Sequence, residues 1–136
     1  MTDINAAISA AASGMHAQTV RMRIAAENIA NASSTGATPQ DDPFRRRIPL
    51  LESTTLSSGA QGVEVRGAAF DMSSFREEFN PGHPAAGPDG YVRLPNVDTL
   101  VEMMDLREAS RAYEANLNMI DAARTMTTRA LDLLRK

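Results

Sequence analysis

The sequence contains no cysteine and no tryptophan, and aromatic residues make up only 4% of its 136 positions. Without cysteine there is no disulfide and no thiolate metal site, and the chain is compatible with any redox compartment. With so few aromatic rings a compact core has little to fill it. The abundant Ala and Met suit helix–helix contact better than a deep pocket. Neither sign of charge dominates: 14 basic and 17 acidic residues give a net charge of −3. That balance argues against nucleic acid and against an anionic membrane surface as partners. No apolar run approaches the roughly 18 residues of a membrane-spanning helix. A basic segment followed by an apolar run is missing from the N-terminal stretch, so no Sec-type signal is expected. Work outside the cytoplasm would need another route of export.

Another lack is regional. Residues 96–136 contain neither Gly nor Pro, so nothing there breaks a helix. As one helix they would form a rod of roughly 60 Å. Their apolar residues recur at Met103, Leu106, Tyr113, Leu117, Ile120, Leu131 and Leu134. The steps are three, four or their sums, so these residues share one narrow seam, interrupted by Ser110, Arg124 and Thr127. A stripe so thin makes no globular core alone and wants another helix against it. The opposite end of the chain supplies one. Ile4, Ile8, Ala11, Met15, Met22, Ala25 and Ile29, with Gln18 in the remaining slot, alternate steps of four and three. That is an a/d heptad pattern over nearly four repeats. Periodicity leaves two readings open: an ordinary two-helix core, or a coiled-coil-like layer built from both chain ends that also packs against other subunits.

The predicted fold is therefore mainly α, with long N- and C-terminal helices and a small irregular, β-containing insert. The expected division is residues 1–34, 35–95 and 96–136. Thr2 or Asp3 is a suitable cap for the first helix, and Asn96 or Asp98 for the last. Gly14 is either a tolerated imperfection or a point where a neighbouring backbone approaches closely. The first helix should fade over residues 31–34 and stop at Thr35-Gly36. Residues 44–51 alternate in part and suggest a strand, which Pro49 would confine to a sheet edge. Residues 52–62, rich in Ser, Thr and Gly, read as mobile. Residues 63–66 alternate cleanly and give the clearest strand. Residues 75–79 are ambiguous, residues 80–90 form an irregular connection, and residues 91–94 suit a short strand.

Little here suggests chemistry. His16 and His83 lack paired motifs, and no metalloprotease, hydrolase or phosphate-loop signature occurs. No catalytic residue, cofactor or metal is expected. Glu102, Asp105 and Glu108 share a helix face with Arg107 and Arg111 nearby, which reads as surface ion pairing. The run Arg45-Arg46-Arg47 reads as a solvated strand face or an intersubunit salt contact, not a nucleic-acid site.

Two stretches go beyond periodicity. The first runs from Ala12-Ser13-Gly14-Met15-His16-Ala17-Gln18 through Arg21-Met22 to Asn28-Ile29-Ala30-Asn31-Ala32, with Thr35-Gly36 after it. It closely resembles the N-terminal signature of the bacterial flagellar axial proteins, the rod and hook subunits. The second, "NPGHPAAGPDGYVRLPNVD" over residues 80–98, followed by Glu102-Met103 and "ASRAYEAN" over residues 109–116, resembles the proximal rod members of that family. Residues 37–75 match least. The resemblance implies a structural subunit of the basal-body rod, exported through the flagellar type III apparatus without signal cleavage and polymerised across the periplasm into the drive shaft. It implies an inner layer of terminal helices around an axial channel. It also implies partners among other proximal and distal rod proteins, the motor-ring base and the export apparatus, in a helical hetero-oligomer. Carried over from the motifs, Gly14, Asn28 and Asn31 are expected in packing or hydrogen-bonding roles, as are Ser110, Arg111, Tyr113 and Asn116. The seams add Ile8, Met15, Met22, Ile29, Leu106, Leu117, Ile120, Leu131 and Leu134 as subunit-packing candidates. The competing readings are another rod or hook subunit, and a soluble helical adaptor for a partner helix.

Overall fold

The structure is a computed structural model and describes residues 2–135. Its elements in chain order are α1 (Thr2–Ala30), β1 (Arg47–Thr55), β2 (Gln61–Phe70), β3 (Arg76–Phe79), β4 (Tyr91–Leu94) and α2 (Thr99–Leu134). The helices hold 29 and 36 residues, so the chain is mainly α with a small β-containing middle, as expected.

The helix ends follow local chemistry. Asp98 is the N-cap of α2, accepting from the backbone N–H of Leu100 at 2.9 Å and of Val101 at 3.4 Å. Two of the helix's otherwise orphan donors are thereby satisfied. Asn96, the other candidate cap, is used elsewhere: its side chain accepts from the Arg46 N–H at 2.8 Å and donates to the Asp71 carbonyl at 2.9 Å. Asp3 lies within the first turn of α1, not ahead of it, where its charge favours the helix dipole. The capping role expected of Thr2 lies outside the described side chains. At its other end α1 stops at Ala30, short of Thr35-Gly36. The Asn31 side-chain amide donates to the Glu27 carbonyl at 2.8 Å, satisfying one of the last acceptors of the helix.

The two helices pack against each other and run antiparallel. A Cβ on Gly14 would lie 2.8 Å from Asn116 Nδ2, and the Asn28 amide donates to Glu102 at 3.0 Å. In both pairs the residue numbers add to 130, so one alignment holds from one contact to the other. The buried apolar residues are mostly small: Ala11, Ala17, Val20, Ile24 and Ala25 on α1, with Ala109 and Ala123 on α2.

Strands β1 and β2 form an antiparallel hairpin, and β3 and β4 a second, separate one. Two expectations for the middle are corrected. The first strand is Arg47–Thr55 rather than residues 44–51, with Pro49 on a strand that has a single neighbour. Residues 52–62 are not a mobile linker. They finish β1, turn at Gly59 (φ +80°) and enter β2, with Thr54 opposite Gly62 and Thr55 opposite Gln61. A Ser/Thr/Gly composition resembles a linker, but β-branched Thr suits a strand and Gly suits its turn. A bulge falls between Leu50 and Leu51, opposite Gly67 at φ +114°, a backbone conformation that favours glycine.

The first hairpin is fixed to α1 through Ser13, whose hydroxyl accepts from the Val63 N–H at 3.1 Å while donating to the Ala10 carbonyl at 2.7 Å. Gly62 makes this approach possible, because a Cβ there would sit 2.7 Å from the Ser13 hydroxyl. The second hairpin carries an edge-to-face pair of Phe79 and Tyr91, with centroids 5.3 Å apart.

Candidate assembly surface

The inward stripe of α2 alternates steps of four and three through Glu102, Leu106, Ala109, Tyr113, Asn116, Ile120, Ala123 and Thr127, all buried or half-buried. Of the ten positions of the expected seam, Leu106, Tyr113, Ile120 and the interrupting Thr127 lie on this stripe, while Leu131 and Leu134 are exposed. Four others are one residue off. Met103, Leu117 and Arg124 are exposed, Ser110 is half-buried, and the inward residues are Glu102, Ala109, Asn116 and Ala123. Counting large apolar residues pulled the stripe toward Met103 and Leu117, whereas close helix packing selects small side chains and one paired carboxylate.

On α1 the expected Ile8, Met15, Met22 and Ile29 are half-buried, Ala11 and Ala25 buried. The most buried residues include a second set: Ala17, Val20, Ile24 and Asn28. The helix is covered on two sides, by α2 and by the first hairpin, so a single a/d stripe does not describe it. Gly14 faces the Asn116 side chain, so the close neighbour is a side-chain amide and not the backbone expected. The Asn116 amide is the flexible end of a side chain, so Gly14→Ala is expected to change stability by under about 1 kcal/mol, the displacement offset by higher helix propensity. Gly14→Leu is expected to cost about 2 kcal/mol by overpacking. Chemical denaturation of both variants checks the difference.

At the inner end of the helix pair lies a polar cluster that periodicity did not reveal. Glu102 is 2% exposed and Asn28 1%. The Asn28 amide donates to Glu102 Oε2 at 3.0 Å and to the Arg47 carbonyl at 2.9 Å, and its oxygen accepts from the Arg47 N–H at 3.0 Å. Arg46 Nε donates to the other Glu102 oxygen. The same guanidinium lies 3.3 Å from Asp71 and 3.7 Å from Asp105. Burial opposes the Arg46 charge, but hydrogen bonding and attraction from Glu102, then from Asp71, outweigh it and raise its pKa above the ordinary value. The Asp71 carboxyl is held below its ordinary pKa, first by the hydrogen bonds from Ser73 and then by Arg46.

This cluster corrects two expectations. The Arg45–47 run is not a free solvated face, because each of its side chains has a partner within the chain. Arg45 stacks 4.2 Å over the Phe75 ring and donates to the Asp71 carbonyl, Arg46 binds Glu102, and Arg47 pairs with Glu27 at 3.1 Å. Glu102 and Asp105 pair with Arg46, across the fold, and not with Arg107 or Arg111. The available signal was the Arg run itself, but its partner lies 56 residues away in sequence.

Outside its contact with α1, α2 carries the least satisfied part of the molecule. Leu100, Met103, Met104, Met119 and Leu133 are exposed, as are Leu117 at 42%, Met126 at 63% and Leu134 at 84%. Arg111, among the expected packing residues, is exposed, and so is Leu131. Grooves along this helix are lined on one side by Val101, Met104 and Glu108, and on the other by Met22, Met103 and Glu114, with Arg107 and Arg111 between them. Large exposed apolar patches are a common mark of interaction surfaces. No helix among the described residues is long and apolar enough to cross a membrane.

The two helical ends match known families. Residues 8–38 match a family described as flagella basal body rod protein. Residues 89–133 match one described as the C-terminal part of flagellar basal body rod FlgEFG proteins. The class defined by these matches is the flagellar rod subunit. Over its full length the chain is 44% identical to the flagellar basal-body rod protein FlgC of Agrobacterium fabrum, covering 99% of this chain and 98% of that protein. It is 34% identical to FlgC of Bacillus subtilis, covering 93% and 95%, and 33% identical to FlgC of Salmonella typhimurium, covering 90% and 92%. The chain belongs to the FlgC family of flagellar basal-body rod proteins, and it is a structural subunit of the basal-body rod.

Proposed function

We propose that α1 and α2 form a coiled-coil-like inner layer around an axial channel, with residues 35–95 lying further out. Copies of the chain assemble with other proximal and distal rod proteins into a helical hetero-oligomer. The motor-ring base and the export apparatus lie at its inner end, and the rod carries torque across the periplasm. The chain reaches that site through the flagellar type III apparatus without a cleaved signal. Its role is architectural, not catalytic.

The observation that carries this reading is the exposed apolar face of α2, which one chain leaves uncovered from Leu100 to Leu134. Burying such side chains contributes roughly 1.5–3 kcal/mol each, enough in sum to hold helices together between subunits. The subunit-packing residues assigned to this surface are Ser110, Arg111, Leu117, Leu131 and Leu134. Ile8, Met15, Met22, Asn28, Ile29, Asn31, Leu106, Tyr113, Asn116 and Ile120 support it from the intrachain side.

Fractionation tests the assignment. The protein is expected in basal bodies washed with detergent. Recovery only in the soluble extract, with none in washed basal bodies, would favour a helical adaptor and overturn the reading.

A further inference from the structure

Two exposed surfaces of this chain lack partners of complementary kinds. The first is a ridge on α2. Arg107 and Arg111 are exposed and stand one turn apart. Apolar side chains flank them, Val101 and Met104 in one groove, Met22 and Met103 in the other. Like charges four residues apart on a helix repel and destabilise it. Glu108 and Glu114 line the same grooves. Among the described residues, however, neither guanidinium is in an ion pair.

The second surface is the outward face of the second hairpin. Val92 is 2% exposed, which turns its face of β4 inward. Side chains alternate along a strand, so Tyr91 and Arg93 lie on the other face, opposite Phe79 and Glu77. Both rings are exposed. Arg93 gives its guanidinium to Asp42 at 2.8 Å and to the Asp41 carbonyl at 3.2 Å. Other exposed carboxylates are already held, Glu52 and Glu64 by Arg66. Among the described residues Glu77 is an unpaired carboxylate that shares its strand face with exposed rings.

We infer that the second hairpin of one copy seats on the arginine ridge of the next. Glu77 lies between Arg107 and Arg111, and the Phe79–Tyr91 pair rests against Met103 and Met104. The inference rests on the reading of exposed α2 as an assembly surface, and it names what covers part of it. The spacing fits. The two arginines are about 6 Å apart along the helix, so a carboxylate midway is about 3 Å from the level of each. Phe79, two residues past Glu77, lies about 7 Å further along its strand. That reaches about 4 Å beyond Arg107, close to the level of Met104 at about 4.5 Å. One carboxylate relieves the repulsion of both guanidiniums through charge-assisted hydrogen bonds. Thioether sulfur makes favourable contacts with the edges of aromatic rings. Because ridge and hairpin are different surfaces, the contact is head-to-tail. It passes from copy to copy without closing into a twofold pair, as a helical assembly requires.

The test uses cells whose only source of this subunit is the full-length chain or a variant, and measures the amount retained in detergent-washed basal bodies. Glu77→Arg alone, and Arg107→Glu with Arg111→Glu, should each lower that amount at least about tenfold, since like charges then meet. All three substitutions together restore opposite charge across the contact and should return retention to within about twofold of the parent. A second measurement leaves every charge in place. Phe79→Cys with Met104→Cys puts both halves of the contact in a chain with no other cysteine. Oxidation of basal bodies carrying it should give a ladder of dimers and longer multimers, and either substitution alone should give none.

Three results would each overturn the inference. The first is reversal variants retained like the parent. The second is a triple variant as depleted as the double, which would assign the ridge to a different rod protein. The third is the cysteine variant retained in basal bodies yet monomeric after oxidation. Absence of the parent chain from washed basal bodies would instead count against the assembly reading itself, a failure distinct from these three.

Discussion

A strain carrying Leu117→Asp is expected to be non-motile, while the purified variant melts within a degree or two of the parent. Leu117 is 42% exposed and lies one position outside the stripe of α2 that faces α1. A carboxylate there meets water in the isolated chain, so its effect on stability should stay within about 0.5 kcal/mol. On an assembly surface that becomes dry, the same charge is buried without a partner and costs several kcal/mol per contact. Repeated at every copy, this should prevent rod growth. Ile120→Asp provides the contrast. Ile120 is half-buried on the stripe that faces α1, so a charge there should destabilise the isolated chain by about 2–3 kcal/mol and abolish motility as well. Swimming in soft agar and thermal melts of both variants separate the two effects. Normal swimming with Leu117→Asp would remove that face of α2 from the interface.

Asn28→Ala should give the largest stability loss of any single truncation in the chain. Asn28 makes three hydrogen bonds: one to Glu102, and two that bracket the Arg47 peptide. Truncation removes all three at once. It leaves a buried carboxylate with Arg46 as its remaining hydrogen-bond donor, and a backbone N–H and carbonyl deprived of their side-chain partner. Unsatisfied buried polar groups cost roughly 1–3 kcal/mol each. Allowing for partial relaxation, the expected loss is about 3 kcal/mol, or a fall in melting temperature on the order of 10 °C. Asn118→Ala, at an exposed position of α2, serves as a control near zero. A loss below about 1 kcal/mol for Asn28→Ala would mean that water replaces the side chain and that the cluster is not a fixed part of the fold.

The helices were legible in the sequence because helix signals are local. The Gly- and Pro-free stretch after Asn96, the cap at Asp98 and the heptad spacing of Ile4 to Ile29 are all visible within windows of a few turns. The family resemblance was legible for the same reason, as two short dense motifs. The true inward stripe was not, because Ala109, Asn116 and Ala123 are inward through smallness or fit, which periodicity of large apolar residues does not weigh. The polar cluster was not legible either. Asn28, Arg46, Asp71 and Glu102 are ordinary surface residue types whose meeting depends on how the middle segment folds back between the helices. The hairpin of β1 and β2 was half visible. Residues 63–66 alternate and residues 44–51 suggest a strand, but the second half of β1, from Glu52 to Thr55, is polar on both faces and resembles a linker. Gly62 illustrates the limit: its value lies in the Ser13 hydroxyl packed against it, 49 residues distant in sequence.

The antiparallel pairing of α1 and α2 has a practical corollary for anyone tagging this molecule. Thr2, where α1 begins, and Leu134, where α2 finishes, lie at the same pole, with Ala30 and Thr99 at the opposite one. A fluorophore or gold particle fused at either extremity would therefore mark the same end of the helix pair, with the two positions about 9 Å apart along it. A third reporter in the 80–90 loop would be needed to read which way up a subunit stands.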